Sequence, residues 1–325
     1  MIILDATLRD GGYHNQWNFD LNLANYYLLT MEKSRINAVE IGFRNPDKPE
    51  GNFANVTDKF IFEKLYKPDI EYFGVMINAA TSSKESIRKS FSKEVDSPIN
   101  LVRVAVHFKD ANKSQIIFDE LKKLGYMVTC NLMQAADKSY EEIKETSKLL
   151  NSWGNIDVLY LADSLGGMNH DSVHYSFAAI KEGWNGLTGF HGHNNKGTAL
   201  DNSLEALDIG VQWLDGTICG MGRGPGNTET EYLLFELNKR GVGEFVLKPI
   251  YELVINNFKN LHDEYKWGPS LFYYLAAEGN IHPTYVQTML SKNYKPNNIL
   301  NSILYLENKD SSFFNKELLE ESMNA

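Results

Sequence analysis

Two histidines separated by one residue, His191 and His193, are the strongest chemical feature of the sequence. The run before them is short, apolar and interrupted by glycine, which favours a β-strand over a helix. Because side chains two residues apart on a strand point to the same face, both imidazoles can bind one cation. Near the start of the chain, another predicted strand ends in a carboxylate, Asp10. Two histidines and one aspartate predict an open metal site, with coordination positions left for substrate or water.

Eight apolar, β-rich runs recur along the chain, with amphipathic helical segments between them. Their spacing leaves room for one strand, one helix and two loops in each repeat. The predicted strands are Ile2–Ala6, Ala38–Phe43, Tyr72–Ile77, Leu101–Val106, Met127–Leu132, Val158–Ala162, Leu187–His191 and Trp213–Ile218. Strands this apolar are covered on both faces, so the pattern predicts a (β/α)8 TIM barrel. The alternative, a doubly wound open sheet, predicts a Gly-x-Gly-x-x-Gly first turn, which this chain lacks.

The pattern changes after about Gly241, where strand-like alternation ends. Helical patterns follow in the segments Ile250–Asp263, Pro269–Gly279, Pro283–Lys292 and Ser302–Leu306. We therefore predict a barrel catalytic domain over residues 1–245 and a C-terminal helical extension over residues 246–325. The extension is expected to pack beside the barrel or across its mouth. The polar end of the chain, Glu317–Ala325, is expected to fray.

Composition and charge restrict the class of protein. The chain has 325 residues, 43% hydrophobic and 23% charged, as in ordinary soluble globular proteins. Its formal net charge of −10 argues against nucleic acid as the main partner. No apolar run reaches the roughly 18 to 20 residues that span a bilayer, and the charge of Asp5 comes too early for a signal peptide. There are only two cysteines, without disulfide spacing, so we expect a cytoplasmic protein. From the charge and the short apolar runs, we expect it to bind neither nucleic acid nor membrane.

In barrel enzymes the reacting groups lie at the carboxyl ends of the strands, so polar residues at these ends are candidates. The predicted ends carry Arg9, Asp10, Glu40, Arg44, His107, Asn131, Gln134, Asp163, Ser164, His191 and His193. Glu40 and Asp163 could equally bridge neighbouring strands, and His107 could be a core histidine. After the eighth strand, the glycine-rich run 220–227 could bind phosphate, but it lacks the Lys-Ser/Thr of a P-loop. We favour a tight loop that turns Asn227 inward.

The chain carries three motifs in order: Asp-x-Thr-Leu-Arg-Asp-Gly-Gly near the N-terminus, His-x-His on the seventh strand, and Gly-Met-Gly-x-Gly-x-Gly-Asn after the eighth. Together these motifs resemble those of the DRE-TIM metallolyase superfamily. The superfamily includes 3-hydroxy-3-methylglutaryl-CoA lyase, isopropylmalate and homocitrate synthases, and 4-hydroxy-2-oxovalerate aldolase. The longer segments LDGTICGMGRGPGN (214–227) and VRVAVH (102–107) look most like the aldolase branch. The lyase branch has a catalytic cysteine inside the glycine loop, and residues 220–227 contain none.

The resemblance implies a divalent metal bound by Asp10, His191 and His193. It also implies that Asn227 is a further ligand or a neighbour of the ligands. Imidazole and carboxylate ligands with open positions suit Mn²⁺, Mg²⁺ or Co²⁺, and we expect Mn²⁺.

The resemblance also implies the groups that act on the substrate. Arg9 matches the arginine that stabilises an enolate. In the aldolase branch, a histidine shortly after the Arg-Asp-Gly motif serves as the base. That position is Tyr13 in this chain, and the nearest histidine is His14. We therefore take His14 as the candidate base, with Tyr13 or a metal-bound water as the alternatives.

These features lead us to expect a carbon–carbon lyase: a metal-dependent aldolase that cleaves or forms a 4-hydroxy-2-oxo acid through a pyruvate enolate. The substrate-binding residues expected from the strand ends are Glu40, Arg44, His107, Asn131, Asp163 and Ser164. One alternative is a Claisen-type synthase that condenses an acyl-CoA with a 2-oxo acid; a remote one is a non-catalytic barrel that only binds. The expected partner is a small 2-oxo acid. A homodimer is left open, and no dehydrogenase partner is assumed.

Overall fold

The fold is a closed barrel of eight parallel strands in chain order. The structure, a computed structural model, describes residues 1–48 and 52–324. Each strand pairs with the next, and the first pairs with the eighth. The strands are β1 (Ile2–Asp5), β2 (Ala38–Phe43), β3 (Tyr72–Asn78), β4 (Leu101–His107), β5 (Met127–Met133), β6 (Val158–Ala162), β7 (Leu187–His191) and β8 (Trp213–Gly216). The predicted (β/α)8 barrel is confirmed, and the open doubly wound sheet is excluded.

Helices surround the barrel and continue beyond it. The α-helices from the N-terminus to the one that follows β8 are α1 (Thr7–Asp10), α2 (Gly12–Asn15), α3 (Leu21–Lys33), α4 (Asp58–Lys64), α5 (Lys84–Ser90), α6 (Gln115–Lys123), α7 (Tyr140–Trp153), α8 (His170–Gly183), α9 (Ala199–Asp208) and α10 (Thr230–Lys239). The C-terminal helices are α11 (Leu247–Leu253), α12 (Lys259–Tyr265), α13 (Leu271–Glu278), α14 (Thr284–Ser291), α15 (Pro296–Leu306) and α16 (Lys316–Asn324), with a π turn, Val254–Phe258, joining α11 to α12. No helix in the described parts of the chain is both long and apolar enough to cross a bilayer.

Helix α7 illustrates how local sequence determines the elements. Its N-cap is Ser139, whose hydroxyl accepts from the backbone N–H of Glu142, while the Glu142 carboxylate accepts from the backbone N–H of Ser139. This reciprocal pair satisfies two N–H groups that the first turn of a helix leaves unpaired. The helix ends at Gly154, which has φ +64°, a left-handed conformation that glycine adopts without a side-chain clash.

The interior of the barrel is apolar at one end and charged at the other. A small apolar cluster that includes Trp213 and Tyr160 fills the end where the strands begin. Towards the carboxyl ends, the interior holds three buried charged side chains, Glu40, Arg103 and Asp215. A larger apolar cluster lies between the strands and the surrounding helices and supplies most of the core. Side chains at the barrel mouth are therefore held by ion pairs and hydrogen bonds.

The last four helices have an apolar cluster of their own, which includes Tyr285 and Leu319. The expectation that Glu317–Ala325 frays is wrong for the residues that the structure describes, since Lys316–Asn324 is helical; Ala325 lies outside them. The physical reason is Leu319, which is 3% exposed and packs in this cluster although Glu317, Glu320 and Glu321 lie close to it in sequence.

These helices and the segment between α15 and α16 contact the loops at the carboxyl ends of the strands. Gln134 Nε2, in the loop after β5, donates to the carbonyl oxygen of Ser312 at 2.9 Å. Lys196, in the loop after β7, pairs with Glu278 of α13 at 2.5 Å. The C-terminal helices thus lie over the mouth of the barrel. The division into domains at residue 245 stays a prediction.

Candidate active site

Asp10, His191 and His193 converge at the mouth of the barrel. The Nε2 atoms of His191 and His193 lie 3.5 Å and 4.0 Å from Asp10 Oδ2. One ligand atom from each residue lies within 4.8 Å of the other two, and all three residues are buried. Helix α1, immediately after β1, carries Asp10, while His191 ends β7. In the closed barrel, β8 pairs with β1 on one side and with β7 on the other. This arrangement brings Asp10 close to His191 and His193, which lie about 180 positions later in the chain.

The Nδ1 atoms of both histidines are engaged, which directs their Nε2 atoms towards Asp10. His193 Nδ1 lies 2.7 Å from the carbonyl oxygen of Asp163, and a carbonyl can only accept, so Nδ1 carries the proton. His191 Nδ1 lies 2.8 Å from Asp215 Oδ2. Metal-binding histidines are usually oriented by such a hydrogen bond from the other ring nitrogen.

The pKa values of the two histidines are shifted in opposite directions. Burial lowers the pKa of His191, but its hydrogen bonds to Asp10 and Asp215 outweigh burial, so the pKa is raised overall. Burial, followed by the nearby Arg223 guanidinium, holds the pKa of His193 well below its usual range. His193 is therefore neutral at physiological pH, the form in which imidazole binds a metal.

Asn227 completes the set of candidate ligands. Its Nδ2 donates to Asp10 Oδ2, and its Oδ1 is buried without a hydrogen-bond partner among the described residues. A Cβ at Gly222 would lie 2.5 Å from Asn227 Nδ2, so glycine is needed for the loop to approach this closely. A buried amide oxygen without a donor is costly, and a cation would satisfy it. Two imidazoles, one carboxylate and one amide oxygen fit a divalent metal.

Arg9 is held between two carboxylates beside this site. Its Nε donates to Glu40 Oε2 and its Nη1 to Asp10 Oδ1, each at 2.6 Å. Burial opposes the charged form, but Asp10 and Glu40 more than compensate and raise the pKa of Arg9. The guanidinium is therefore permanently charged and fixed in direction.

Two residues that sequence reasoning did not select, Arg103 and Asp215, complete this network. Arg103 Nη2 donates to Asp215 Oδ2 at 2.5 Å, and Nη1 donates to Glu40 Oε2 at 3.3 Å. Contacts of alternating charge therefore form a closed ring: Asp10, Arg9, Glu40, Arg103, Asp215 and His191, back to Asp10. The signal in the sequence was one charged residue inside each of the apolar runs 101–107 and 213–216, since a buried charge in a strand needs a partner.

A cavity of about 90 Å³ opens beside the ring. Its polar lining consists of Arg9, Asp10, Tyr13, Asn78, Asn131, Ser164, His191, His193 and Arg223. Sequence reasoning also did not select Arg223, although an arginine inside a glycine-rich loop was visible. Arg223 Nη2 donates to the carbonyl oxygen of Ser164 at 2.9 Å, which holds the glycine loop against the loop after β6.

The two candidate bases point in different directions. Tyr13 lines the cavity, and burial raises the pKa of its phenol, so the hydroxyl is protonated at neutral pH. His14 Nε2 lies 2.7 Å from the carbonyl oxygen of Gly222, and its ring lies 5.4 Å from that of Trp267. His14 is not among the residues that line the cavity. Of the two candidate bases, Tyr13 is therefore the one that borders this cavity.

Among the expected substrate-binding residues, Asn131 and Ser164 line the cavity, whereas Glu40 lies behind Arg9. The Asp163 carboxylate accepts from the backbone N–H groups of Gly167 (3.1 Å) and Met168 (3.2 Å), and so shapes its own loop. Burial raises the pKa of Asp163 to about 7.

Arg44 and His107 lie away from this cavity. The Arg44 guanidinium donates to Asp58 Oδ1 and to the carbonyl oxygen of Val56, each at 2.7 Å. The His107 ring lies 5.4 Å from that of Phe313, and its Nδ1 is buried without a partner in the described part of the chain. Neither side chain reaches the lining formed by Arg9 and the two histidines.

A family model described as HMGL-like matches residues 1–253. The chain belongs to the HMGL-like family. The match confirms the resemblance seen in the motifs, and it ends before α12, so the helices that cover the mouth lie outside it.

Curated relatives of this HMGL-like chain include 4-hydroxy-2-oxovalerate aldolases. The protein of that name from Pelotomaculum thermopropionicum is 31% identical over 245 residues, which are 74% of this chain and 70% of the relative. The one from Geobacillus genomosp. 3 is 29% identical over 243 residues, 74% of this chain and 71% of the relative.

Solved structures share the fold of this HMGL-like chain. The N-terminal domain of a putative aldolase from Bacteroides vulgatus has a TM-score of 0.82 and 27% identity, covering 92% of this chain and 99% of that one. The 3-hydroxy-3-methylglutaryl-CoA (HMG-CoA) lyase of Bacillus subtilis has a TM-score of 0.66 and 18% identity, covering 82% of this chain and 94% of that one. The second likeness shows a shared fold alone.

Proposed function

We propose that this chain is a divalent-metal-dependent aldolase that cleaves or forms a 4-hydroxy-2-oxo acid through the enolate of pyruvate. The observation that carries the proposal is the convergence of Asp10, His191, His193 and Arg9 on one cavity at the barrel mouth. The names of the curated relatives support the reaction class. A barrel that only binds would have little reason to keep four buried charged or ligating groups around one cavity.

Asp10, His191 and His193 would hold the metal, with Asn227 Oδ1 as a fourth ligand. We favour Mn²⁺ over Mg²⁺ and Co²⁺ because imidazole and hard oxygen ligands are mixed in one site. A bound divalent cation supplies a Lewis acid that polarises the keto group of a 2-oxo acid.

Arg9 stabilises the negative charge that develops on the keto oxygen as the enolate forms. Glu40 and Asp10 fix its direction, so no reorganisation is needed during the reaction. A preorganised charge of this kind contributes about 3 kcal/mol, or on the order of 10²-fold in rate.

Tyr13 transfers the proton on the C4 hydroxyl. In the condensation direction, its protonated phenol gives a proton to the alkoxide that forms from the aldehyde. Cleavage is the reverse of this step and starts from the phenolate, which is the minor form at neutral pH because the pKa of Tyr13 is raised. A positioned acid or base contributes roughly 10²- to 10⁴-fold. His14 is the second candidate, because it is the histidine nearest to the Arg-Asp-Gly motif in the sequence.

The test is a chelator-stripped protein to which Mn²⁺, Mg²⁺ or Co²⁺ is added back. We expect pyruvate release from 4-hydroxy-2-oxo acids only after metal addition, with Mn²⁺ the most effective. A parallel assay supplies acetyl-CoA with 2-oxo acids and measures free thiol. Thiol release without pyruvate release would replace the aldolase by the Claisen-type synthase.

A further inference from the structure

A second, larger cavity of about 220 Å³ adjoins the one beside Arg9. Three residues, Tyr13, Phe43 and Asn78, line both cavities, so the two spaces meet at these side chains. The second cavity extends from this junction between the loops after β2 and β3 towards α5. Neither the metal ligands nor Arg9 lines it.

The wall of the second cavity combines aromatic surface with neutral polar groups. Trp17 and Phe91 supply aromatic surface, and Ser82 and Ser90 supply hydroxyls. The Ser82 hydroxyl donates to the carbonyl oxygen of Asn78 at 2.8 Å, which leaves its lone pairs to accept. Asn78 Oδ1 accepts from a backbone N–H, which leaves its two amide N–H donors for a ligand.

The two cationic side chains among the described residues of this wall, Arg44 and Lys48, do not form a binding site for an anionic ligand. Arg44 contributes to the lining, but it is paired with Asp58, and its remaining contacts include the carbonyl oxygen of Ser90 at 3.3 Å. Lys48 is exposed at the rim, where water and salt screen its charge. No carboxylate is among the described lining residues. Neutral donors and acceptors beside aromatic surface suit a ligand with hydroxyl groups on a carbon chain.

We propose that the second cavity binds the aldehyde partner of the aldol reaction, and that this partner is a hydroxylated aldehyde of three or more carbons. This inference rests on the proposed function. The enolate occupies the space beside Arg9, so the aldehyde carbon meets it at the junction formed by Tyr13, Phe43 and Asn78. The rest of the aldehyde then extends into the second cavity.

The bond changes balance without another reactant. Carbon 3 of the enolate bonds to the aldehyde carbon, and the carbonyl π electrons move to the aldehyde oxygen. That oxygen takes up one proton, and the methyl group of pyruvate lost one proton when the enolate formed, so the number of protons is unchanged. The product is the 4-hydroxy-2-oxo acid, whose additional hydroxyl groups lie against Ser82, Ser90 and Asn78.

The first test compares two aldehydes of equal length, glyceraldehyde and propanal, in condensation with pyruvate by the metal-loaded protein. A site that hydrogen-bonds a substrate hydroxyl discriminates strongly against an analogue without it, whereas an apolar pocket does not. We expect kcat/KM for glyceraldehyde to exceed that for propanal at least tenfold. A preference for propanal, or equal values, would overturn the inference.

The second test fills the cavity with Ser90→Leu, at the end of α5. The backbone carbonyl that holds Arg44 is retained, and leucine is favourable in a helix. The ratio of kcat/KM for glyceraldehyde to that for acetaldehyde should fall at least tenfold, because acetaldehyde has no atoms beyond the junction. The matched control is Lys89→Leu, an exposed neighbour outside the lining, which should leave the ratio unchanged. An unchanged ratio in Ser90→Leu would also contradict the inference.

A binding experiment separates this inference from the aldolase reaction itself. Saturation-transfer difference NMR detects weak ligands without turnover, with erythritol as the polyol probe and 1-butanol as its apolar counterpart. We expect a signal for erythritol that Ser90→Leu removes and Lys89→Leu keeps. If no aldehyde reacts but this signal is present, the aldolase function fails and the polyol site stands. Absence of the signal overturns the site.

Discussion

Asp10 interacts with Arg9, with Asn227 and with both histidines, so its charge is the one on which the site depends most. Burial raises the pKa of this carboxyl, but Arg9 followed by His191 outweighs burial and holds the pKa well below its usual value. The carboxylate is therefore charged at every pH at which the protein is expected to work.

Asp10→Asn keeps the shape of the side chain and removes its charge. We expect loss of bound metal after dialysis and a fall of about 10²-fold or more in the rate of pyruvate release, because a ligand and a partner of Arg9 are lost together. Elemental analysis and the pyruvate assay measure the two effects. The control is Asp201→Asn, an exposed residue on α9, which should behave as wild type. Metal content and activity equal to those of Asp201→Asn would show that the site is wrongly assigned.

The difference in pKa between the two histidines predicts the proton count of metal binding. The raised pKa of His191 means that it holds a proton in the empty site at mildly acidic pH, whereas His193 and Asp10, whose pKa values are lowered, are already unprotonated. Metal must displace that proton, so affinity falls as pH falls below the pKa of His191. We expect close to one proton released per metal there, and none well above that pKa. Calorimetry in buffers of different ionisation enthalpy measures the count; two protons, or none throughout, would contradict it.

At the scale of strands, β4 and β8 are linked across the barrel by Arg103 and Asp215. Removing this buried cation takes one partner from each of two buried carboxylates, so that Glu40 keeps only Arg9 and Asp215 keeps only His191. Arg103→Leu should therefore destabilise the fold by about 3 to 5 kcal/mol, measured by urea unfolding of the metal-free protein. The control is Arg240→Leu, whose exposed pair with Asp208 should contribute no more than about 1 kcal/mol. Equal losses in both variants would show that the internal pair does not support the barrel.

The strands could be predicted well because each is a continuous apolar run between turn residues. The predicted bounds of Ala38–Phe43, Val158–Ala162 and Leu187–His191 match the structure. The partnership of Arg103 with Asp215 could not be predicted, since it depends on how the barrel closes. The direction of His14 also depends on tertiary structure, because a turn of α2 and the approach of Trp267 determine it. Metal-ligand types at strand ends were visible in the sequence, whereas the contacts that orient them were not.

At the scale of the whole molecule, the C-terminal helices contribute to the site although they lie largely beyond the family match. Gln287 of α14 contacts both the glycine loop and helix α2 at the barrel mouth. Its Oε1 accepts from the backbone N–H of Gly224, and its Nε2 donates to the carbonyl oxygen of Tyr13 at 3.3 Å. A single side chain therefore connects the glycine loop with the segment that carries the proposed proton-transfer residue.

Gln287→Leu retains a helix-forming residue of similar size and removes both hydrogen bonds. Gln287 makes neither of these hydrogen bonds to a proposed metal ligand, so metal affinity should stay within about twofold. The value of kcat should fall about tenfold, because Tyr13 is less well positioned. Calorimetry and the pyruvate assay separate these effects. Gln115→Leu, an exposed residue of α6, introduces the same change away from the mouth and should leave both quantities unaltered. Equal kcat values in the two variants would mean that the C-terminal helices cover the barrel without positioning its catalytic loop, whereas loss of metal in Gln287→Leu would mean that they support the ligands themselves.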